Sequence, residues 1–386
     1  MLGSLKRGLV ALTLAAGLAG CQVIPGGDGV QTGPAEPGET TGPSDTALPT
    51  DTTRHRIALL VPLSGSNADV GRSIANATTM ALLDTDAQNL RITTYDTATN
   101  AQSAAARAIA DGNRLILGPL LRQNVGPVLS QAKPADVPLI TFSNDISVAS
   151  SDVFVLGHVP EQSVARTVAY AHANGARNFA ALIPNGEYGS RAADAFSAAV
   201  RRVGGRLVAT ESYDRGNTSI VSAAERLESK ADFDAVLVAD GARLSAMAAG
   251  ALKEPGMVLP TILGTELWSG EASIANASAM RGALFAAVSD ARYRQFLDSY
   301  KSRFGETPYR IATLGYDSVL LTLRVARDWE PGTQFPVREL LGTDGFLGLD
   351  GPFRFRGDGV GERAMEVRRI GNGTIDVVDP APQRFD

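Results

Sequence analysis

Ser130-Gln131-Ala132-Lys133 puts a hydroxyl and an amine one helical turn apart. At that spacing a lysine can assist a serine nucleophile in acyl transfer. The partners such chemistry requires, a Ser-Asp-Asn and a Lys-Thr-Gly, do not occur, and Pro134 stops the helix directly afterwards. The motif therefore reads as an exposed helix end. The chain has no Gly-x-Ser-x-Gly elbow and no Walker-type phosphate loop. Gly357-Asp358-Gly359-Val360-Gly361 is glycine-rich but falls in a predicted hairpin. His55, His158 and His172 are scattered, and the single cysteine, Cys21, permits neither an internal disulfide nor a Cys-rich zinc site. These patterns predict a protein without catalytic residues, metal or cofactor.

The elements around these residues follow a simple rhythm. Ile57-Ala58-Leu59-Leu60-Val61 is a short unbroken apolar run, which suits a strand buried on both faces of a parallel sheet. Pro62 ends it, Leu63 to Asn67 is turn chemistry, and Val70, Ile74 and Ala77 recur at helical spacing. Ligands of open α/β sheets sit at such strand carboxyl ends. Further apolar runs at 91–95, 114–117, 138–142 and 153–156 alternate with helical stretches at 98–111 and 121–132. A second set begins with helix 161–174, strand 178–183, the loop Pro184 to Gly189 and helix 190–203. It continues with strand 207–209, helix 218–230, strand 235–238, helix 242–252 and strand 261–263. A third stretch holds strand 284–288 and helices at 291–304 and 310–328. Short alternating runs with Gly-rich turns at 346–378 predict antiparallel strands. The fold class is thus α/β, two-lobed, each lobe a mostly parallel sheet flanked by helices.

With 386 residues the chain is too long for one typical core, and its 44% hydrophobic content is ample for globular lobes. The net charge of −5, with no basic stripe, argues against a nucleic-acid partner. Residues 1–20 read as an export signal, with Lys6-Arg7 before an apolar segment too short to span a bilayer. Residues 21–53 are rich in Gly, Pro, Thr and acids and cannot bury enough apolar surface to fold. As a flexible tether they would span on the order of 30 Å on average and about 100 Å when stretched.

Leu18-Ala19-Gly20-Cys21 resembles the lipobox of bacterial lipoproteins. The resemblance implies an acylated Cys21 and membrane attachment through the lipid. Gln22, not Asp, at the next position implies the periplasmic face of the outer membrane by the sorting rule of that group, with inner-membrane anchoring left open. The order of the αβ sets resembles the type I periplasmic binding protein fold, in its branched-chain amino-acid-binding group. Val61-Pro62-Leu63-Ser64-Gly65, Glu187-Tyr188-Gly189, Leu314 to Val319 and Gly348 to Arg356 carry that likeness. It implies a first lobe of 54–157 plus 283–345 and a second of 158–282 plus 346–386. It also implies a cleft between them lined by candidates Ser64, Gly65, Gly118, Pro119, Leu120, Thr141, Ser143, Asn144, Tyr188 and Asp240.

Leu117-Gly118-Pro119-Leu120 through Val125, followed by Asp136-Val137-Pro138, resembles the signature of the penicillin-binding protein activators. That likeness implies a non-catalytic lipoprotein that binds and stimulates a bifunctional penicillin-binding protein. The helical tetratricopeptide-like domain of that group is replaced here by the tether. The amino-acid binders imply an alternative, a solute-binding lipoprotein of an ABC transporter for an amino acid or small amide. Against it, Gly118-Pro119-Leu120 is not a Ser-rich loop, and Asp145 would repel a ligand carboxylate if it faced the cleft.

Overall fold

In β1 (His55–Val61), Ile57, Leu59 and Val61 enter one apolar cluster, while Ala58 and Leu60 enter another on the opposite face. That two-sided burial is what the unbroken apolar run encodes. A computed structural model describes residues 53–252 and 260–385; the expected signal, lipobox and tether lie outside the described residues, apart from Thr53. After β1 come α1 (Ala68–Asp84), β2 (Leu90–Asp96), α2 (Ala101–Ala110), β3 (Leu115–Leu117), α3 (Arg122–Ala132), β4 (Leu139–Thr141) and β5 (Val153–Val155). They form a parallel sheet in the order β2-β1-β3-β4-β5.

The second lobe repeats the plan. It contains α4 (Pro160–Ala173), β6 (Asn178–Pro184), α5 (Glu187–Arg202), β7 (Arg206–Tyr213), α6 (Ser219–Glu228), β8 (Ala235–Val238), α7 (Ala242–Ala251), β9 (Thr261–Leu263) and β10 (Leu284–Ala287). In β6, Ala180 and Leu182 face one cluster and Phe179, Ala181 and Ile183 the other. The chain then returns through α8 (Tyr293–Phe304), α9 (Thr313–Val325), β11 (Phe346–Gly348), β12 (Gly351–Phe355), β13 (Gly361–Arg363), β14 (Glu366–Ile370) and β15 (Ile375–Asp379). The second sheet runs β15-β14-β10-β9-β8-β6-β7, with β14 and β15 antiparallel. Strands β11 to β13 form a small antiparallel sheet.

The two lobes start alike. α1 and α5 each follow a strand that ends at a proline, and each brings a glycine against that proline. A Cβ on Gly71 would lie 1.7 Å from Pro62 O, and one on Gly189 1.8 Å from Pro184 O. Only glycine lets the helix approach the strand end so closely.

Two expected boundaries change. β10 was expected in the first lobe, with 283–345. It pairs with β9 and β14 instead, because its neighbours in the second sheet satisfy both its edges. β11 to β13 were expected in the second lobe with 346–386. Phe353 and Phe355 pack in the core of the first lobe with Trp329 and Leu314, so apolar burial draws this hairpin there. The chain therefore crosses between lobes at 156–159, 288–292 and 364–365.

A buried ionic set joins the three crossings. Asp350, fully buried, accepts from His158 Nε2 (2.8 Å), Arg310 Nη1 (2.7 Å) and Thr313 Oγ1 (2.8 Å). Burial works against its charge, but Arg310, His158 and Arg363 more than offset that and hold it well below the carboxylate range. Burial, and then the charge of Asp350, push Asp317 the other way. Burial lowers the pKa of His158 against the opposing pull of Asp350, and its Nε2 donates to the ionised Asp350. Arg363 Nη2 donates to Leu156 O (2.8 Å), and Arg368 Nη2 to Val288 O (2.6 Å). Asp290 receives Arg310 (3.4 Å) and Arg368.

Removing one partner from such a set strands the rest. Asp350→Asn is expected to lower the unfolding free energy by about 3–5 kcal/mol, read as a lower urea midpoint with an unchanged slope.

Candidate functional site

The carboxyl ends of the first-lobe strands carry most of the sequence candidates, and the structure places them in three different situations. Ser64 is exposed at the end of β1, and its hydroxyl donates to Asp96 Oδ2 (3.0 Å), while Leu63 N donates to Asp96 Oδ1 (2.8 Å). Gly65 follows it in an exposed turn with φ +71. Gly118 has φ +104, and a Cβ there would meet Leu60 O at 2.2 Å, so the Gly118-Pro119-Leu120 turn depends on glycine. Thr141, fully buried, donates to Pro119 O (2.7 Å) and accepts from Ser143 N (3.2 Å). Ser143 Oγ in turn accepts from Asp145 N (3.1 Å). The Ser64 and Thr141 hydroxyls, which could have held a ligand carboxylate, donate to internal partners instead.

Asp145 is not in the wall of the interlobe cavity. It is buried between two arginines, one from each lobe: Arg122 Nε at 2.6 Å and Arg191 Nε at 4.0 Å. Burial opposes its charge, and Ser147, Arg191 and Arg122 keep it below the usual carboxylate range. Arg122 also reaches Glu187 on the second lobe (2.9 Å), and Arg191 donates across to Asn144 O while pairing with Glu161. The Arg122–Glu187 pair is solvent-exposed and worth at most about 1 kcal/mol. The Arg191 contact is largely buried and is the stronger brace.

Beside this brace lies a cavity of about 430 Å³ between the lobes. Apolar side chains dominate its lining: Leu120, Leu121, Phe142, Val288, Ile311 and Met365. The polar contributors are Asn144, His158, Glu266, Ser269, Glu271 and Arg310, with Tyr309 beside them. Of the ten sequence candidates, Leu120 and Asn144 line this cavity; the other eight are not in its wall.

Tyr188 stands behind it. Its hydroxyl donates to Glu266 Oε1 (3.0 Å) and lies 2.9 Å from Thr265 Oγ1. Burial, then the charge of Glu266, raise its pKa. Asp240 is bound to Tyr213 (2.9 Å) and Arg215 (2.9 Å), and its carbonyl accepts from Trp268 Nε1 (2.8 Å). It is a packing carboxylate behind the second-lobe wall.

Glu266, Ser269 and Arg310 had no place among the sequence candidates. Glu266 follows β9 by the same strand-end rule that selected Ser64 and Thr141, so the signal was present in Gly264-Thr265-Glu266. Burial pushes the Glu266 carboxyl up to about 7, with Glu161 adding to the shift and Tyr188 and Arg191 opposing it. Three buried polar atoms of this wall have no hydrogen-bond partner among the described residues: Glu266 Oε2, Ser269 Oγ and Arg310 Nε. Among the described residues no group of three or more His, Cys, Asp or Glu is placed to hold a metal ion. The Ser130 and Lys133 side chains are exposed. Ser130 donates to Pro127 O (2.7 Å), and Lys133 pairs with Asp152 (3.3 Å), so they are not a nucleophile and its base.

A raised acid binds a proton in the folded state that it has lost in the unfolded chain. The contribution of Glu266 to stability is therefore full below pH 4.5 and is lost as pH rises through about 7. Glu266→Gln is expected to remove this slope. The difference between wild type and variant in unfolding free energy should change by about 2–3 kcal/mol between pH 4.5 and 8, measured by urea titration.

A family model described as periplasmic binding protein matches residues 55–374. Uncharacterized protein RP748 of Rickettsia prowazekii is 29% identical over 178 residues, 46% of this chain and 48% of that protein. Penicillin-binding protein activator LpoA of Photobacterium profundum is 27% identical over 157 residues, 39% of this chain and 25% of that protein. The LpoA of Klebsiella pneumoniae is 31% identical over 121 residues, 31% of this chain and 17% of that protein. The chain thus spans less than half the length of these relatives. Among solved structures, an ABC transporter substrate-binding protein from Sphaerobacter thermophilus superposes with a TM-score of 0.69 at 20% identity, over 86% of this chain and 99% of that one. The leucine binding protein LivK from Thermotoga maritima gives 0.63 at 20% identity, over 84% and 97%. These likenesses concern the fold. With two αβ lobes, three crossings and a match over nearly all the described residues, the chain belongs to the periplasmic binding protein family.

Proposed function

We propose that this protein acts by association, as a cell-envelope lipoprotein that binds and activates a bifunctional penicillin-binding protein without chemistry of its own. The observation that carries the reading is the brace between the lobes. Arg122 and Arg191 bridge them to Asp145, Glu187 and Asn144, so the chain holds its own cleft together with its own charges. A protein built this way presents a fixed outer surface, and activation follows if that surface binds the active state of the partner better than the inactive one. Sequence similarity to two proteins named as penicillin-binding protein activators supports the choice of partner. In this reading acylated Cys21 anchors the protein to the periplasmic face of the outer membrane, and residues 22–53 supply the reach.

A second reading has its own support. The 430 Å³ cavity, with unpartnered polar atoms in its wall, is of a size that holds small ligands, as in a solute-binding lipoprotein of an ABC transporter.

Crosslinked pull-down from native membranes with tagged full-length protein separates the two. Enrichment of a bifunctional penicillin-binding protein, together with faster glycan polymerisation by that enzyme when the purified protein is added, is the expected result. Enrichment of a permease with no synthase overturns the activator role.

A further inference from the structure

The wall that carries Glu266 is chemically one-sided. Glu266 Oε2 and Ser269 Oγ, both on the segment that follows β9, are buried and have no hydrogen-bond partner among the described residues. A buried polar atom left unpaired is costly, and here a carboxylate oxygen and a hydroxyl, the second able to accept or donate, share one cavity. Glu271 adds a second carboxylate to the same lining.

The charges of the cations near the cavity are already compensated, although Arg310 Nε itself has no partner among the described residues. Arg310 is shared between Asp350 and Asp290. Arg191 is bound to Glu161 and lies near Asp145, and Arg122 serves Asp145 and Glu187. Among the described residues no cation in the first-lobe wall is left without an acid, and Ser64 and Thr141, whose hydroxyls donate to their own neighbours, lie outside the wall, as does Ser143. Most of the rest of the lining is apolar, with Leu120, Phe142, Ile311, Val288 and Met365, and its other polar side chains are Asn144, His158 and Tyr309.

We propose that the cavity takes a small monocationic amine with an apolar body, its ammonium held between Glu266 and Ser269. An ammonium group offers three donors, enough for the Glu266 carboxylate oxygen and for the Ser269 hydroxyl oxygen acting as acceptor. The apolar body lies against Leu120, Phe142 and Ile311. Arg310 Nε can donate to one neutral oxygen on the ligand. A zwitterion would bring a carboxylate into a cavity whose uncompensated charge is negative, and desolvating it there is unfavourable. The proposal rests on the second reading above, that the cleft holds a small solute, and it narrows the class of solute.

The groups facing Glu266 are Tyr188 and Arg191 from α5 and Glu161 from α4. With its carboxyl at about 7, Glu266 is ionised more fully as pH rises, and an amine binds more tightly in step.

The test is calorimetry and thermal shift on the full chain at pH 8. The probes are a series of alkyl and aryl monoamines, the amino acids with the same side chains, and the matching carboxylic acids. Amines are expected to stabilise the protein while amino acids and acids do not. Glu266→Gln is expected to weaken the best amine at least tenfold, and Ser269→Ala severalfold. Should Glu266→Gln fold poorly, the wild-type affinity for that amine serves instead, rising up to tenfold per pH unit below about 7. Stabilisation by amino acids in preference to amines overturns the proposal and leaves the solute-binding reading standing. Stabilisation by none of the three series overturns both.

Discussion

The carboxylate of Asp350 holds the two lobes to one geometry. It sits in the turn between β11 and β12 with no solvent exposure, and it is reached by His158 on the first crossing and by Arg310 and Thr313 on the first lobe. Arg363, at the third crossing, adds its charge. Burying such groups costs several kcal/mol each, and well-packed apolar residues could hold the same volume as firmly. Charged groups add direction, because each hydrogen bond fixes an angle as well as a distance. Three chain segments that could otherwise twist independently are tied to a common point, and Arg368 extends the tie to Val288 and Asp290.

The cleft follows from that constraint. With the crossings fixed, α3 and the turn after β4 meet the start of α5 at a set distance, and Asp145 lies between an arginine from each side. Protein groups bridge the lobes here, and the cavity they leave is lined mostly by apolar side chains. Bridging by the chain itself and a one-sided polar wall are compatible: the brace sets the shape of the cavity, and the wall sets its chemistry.

Much of the architecture was legible in the residues. β1 and β6 announce themselves as unbroken apolar runs, since both faces of each are covered. The tail reads as antiparallel because Gly-rich turns punctuate short alternating strands. The placement of β10 was not legible. Leu284 to Ala287 would suit either sheet, and its partner β14 lies some eighty residues further on. The hydroxyls were misjudged for a related reason. Ser64 is claimed by Asp96 and Thr141 by the Pro119 carbonyl, and a strand-end serine or threonine carries no local mark of whether a distant neighbour has already engaged it. Glu266 was within reach of the strand-end rule, but a carboxylate between a buried strand and Trp268 reads first as a turn.

The interleaving of the chain bears on how the molecule comes into being. Phe353 and Phe355 complete the core of the first lobe, and Val367 and Ile370 that of the second, so both cores wait for residues beyond 350. Neither core is therefore complete in a chain that stops short of residue 350, unlike domains that each fold from one continuous stretch as it emerges. A cut within β14 would accordingly disassemble far more than the strand it severs.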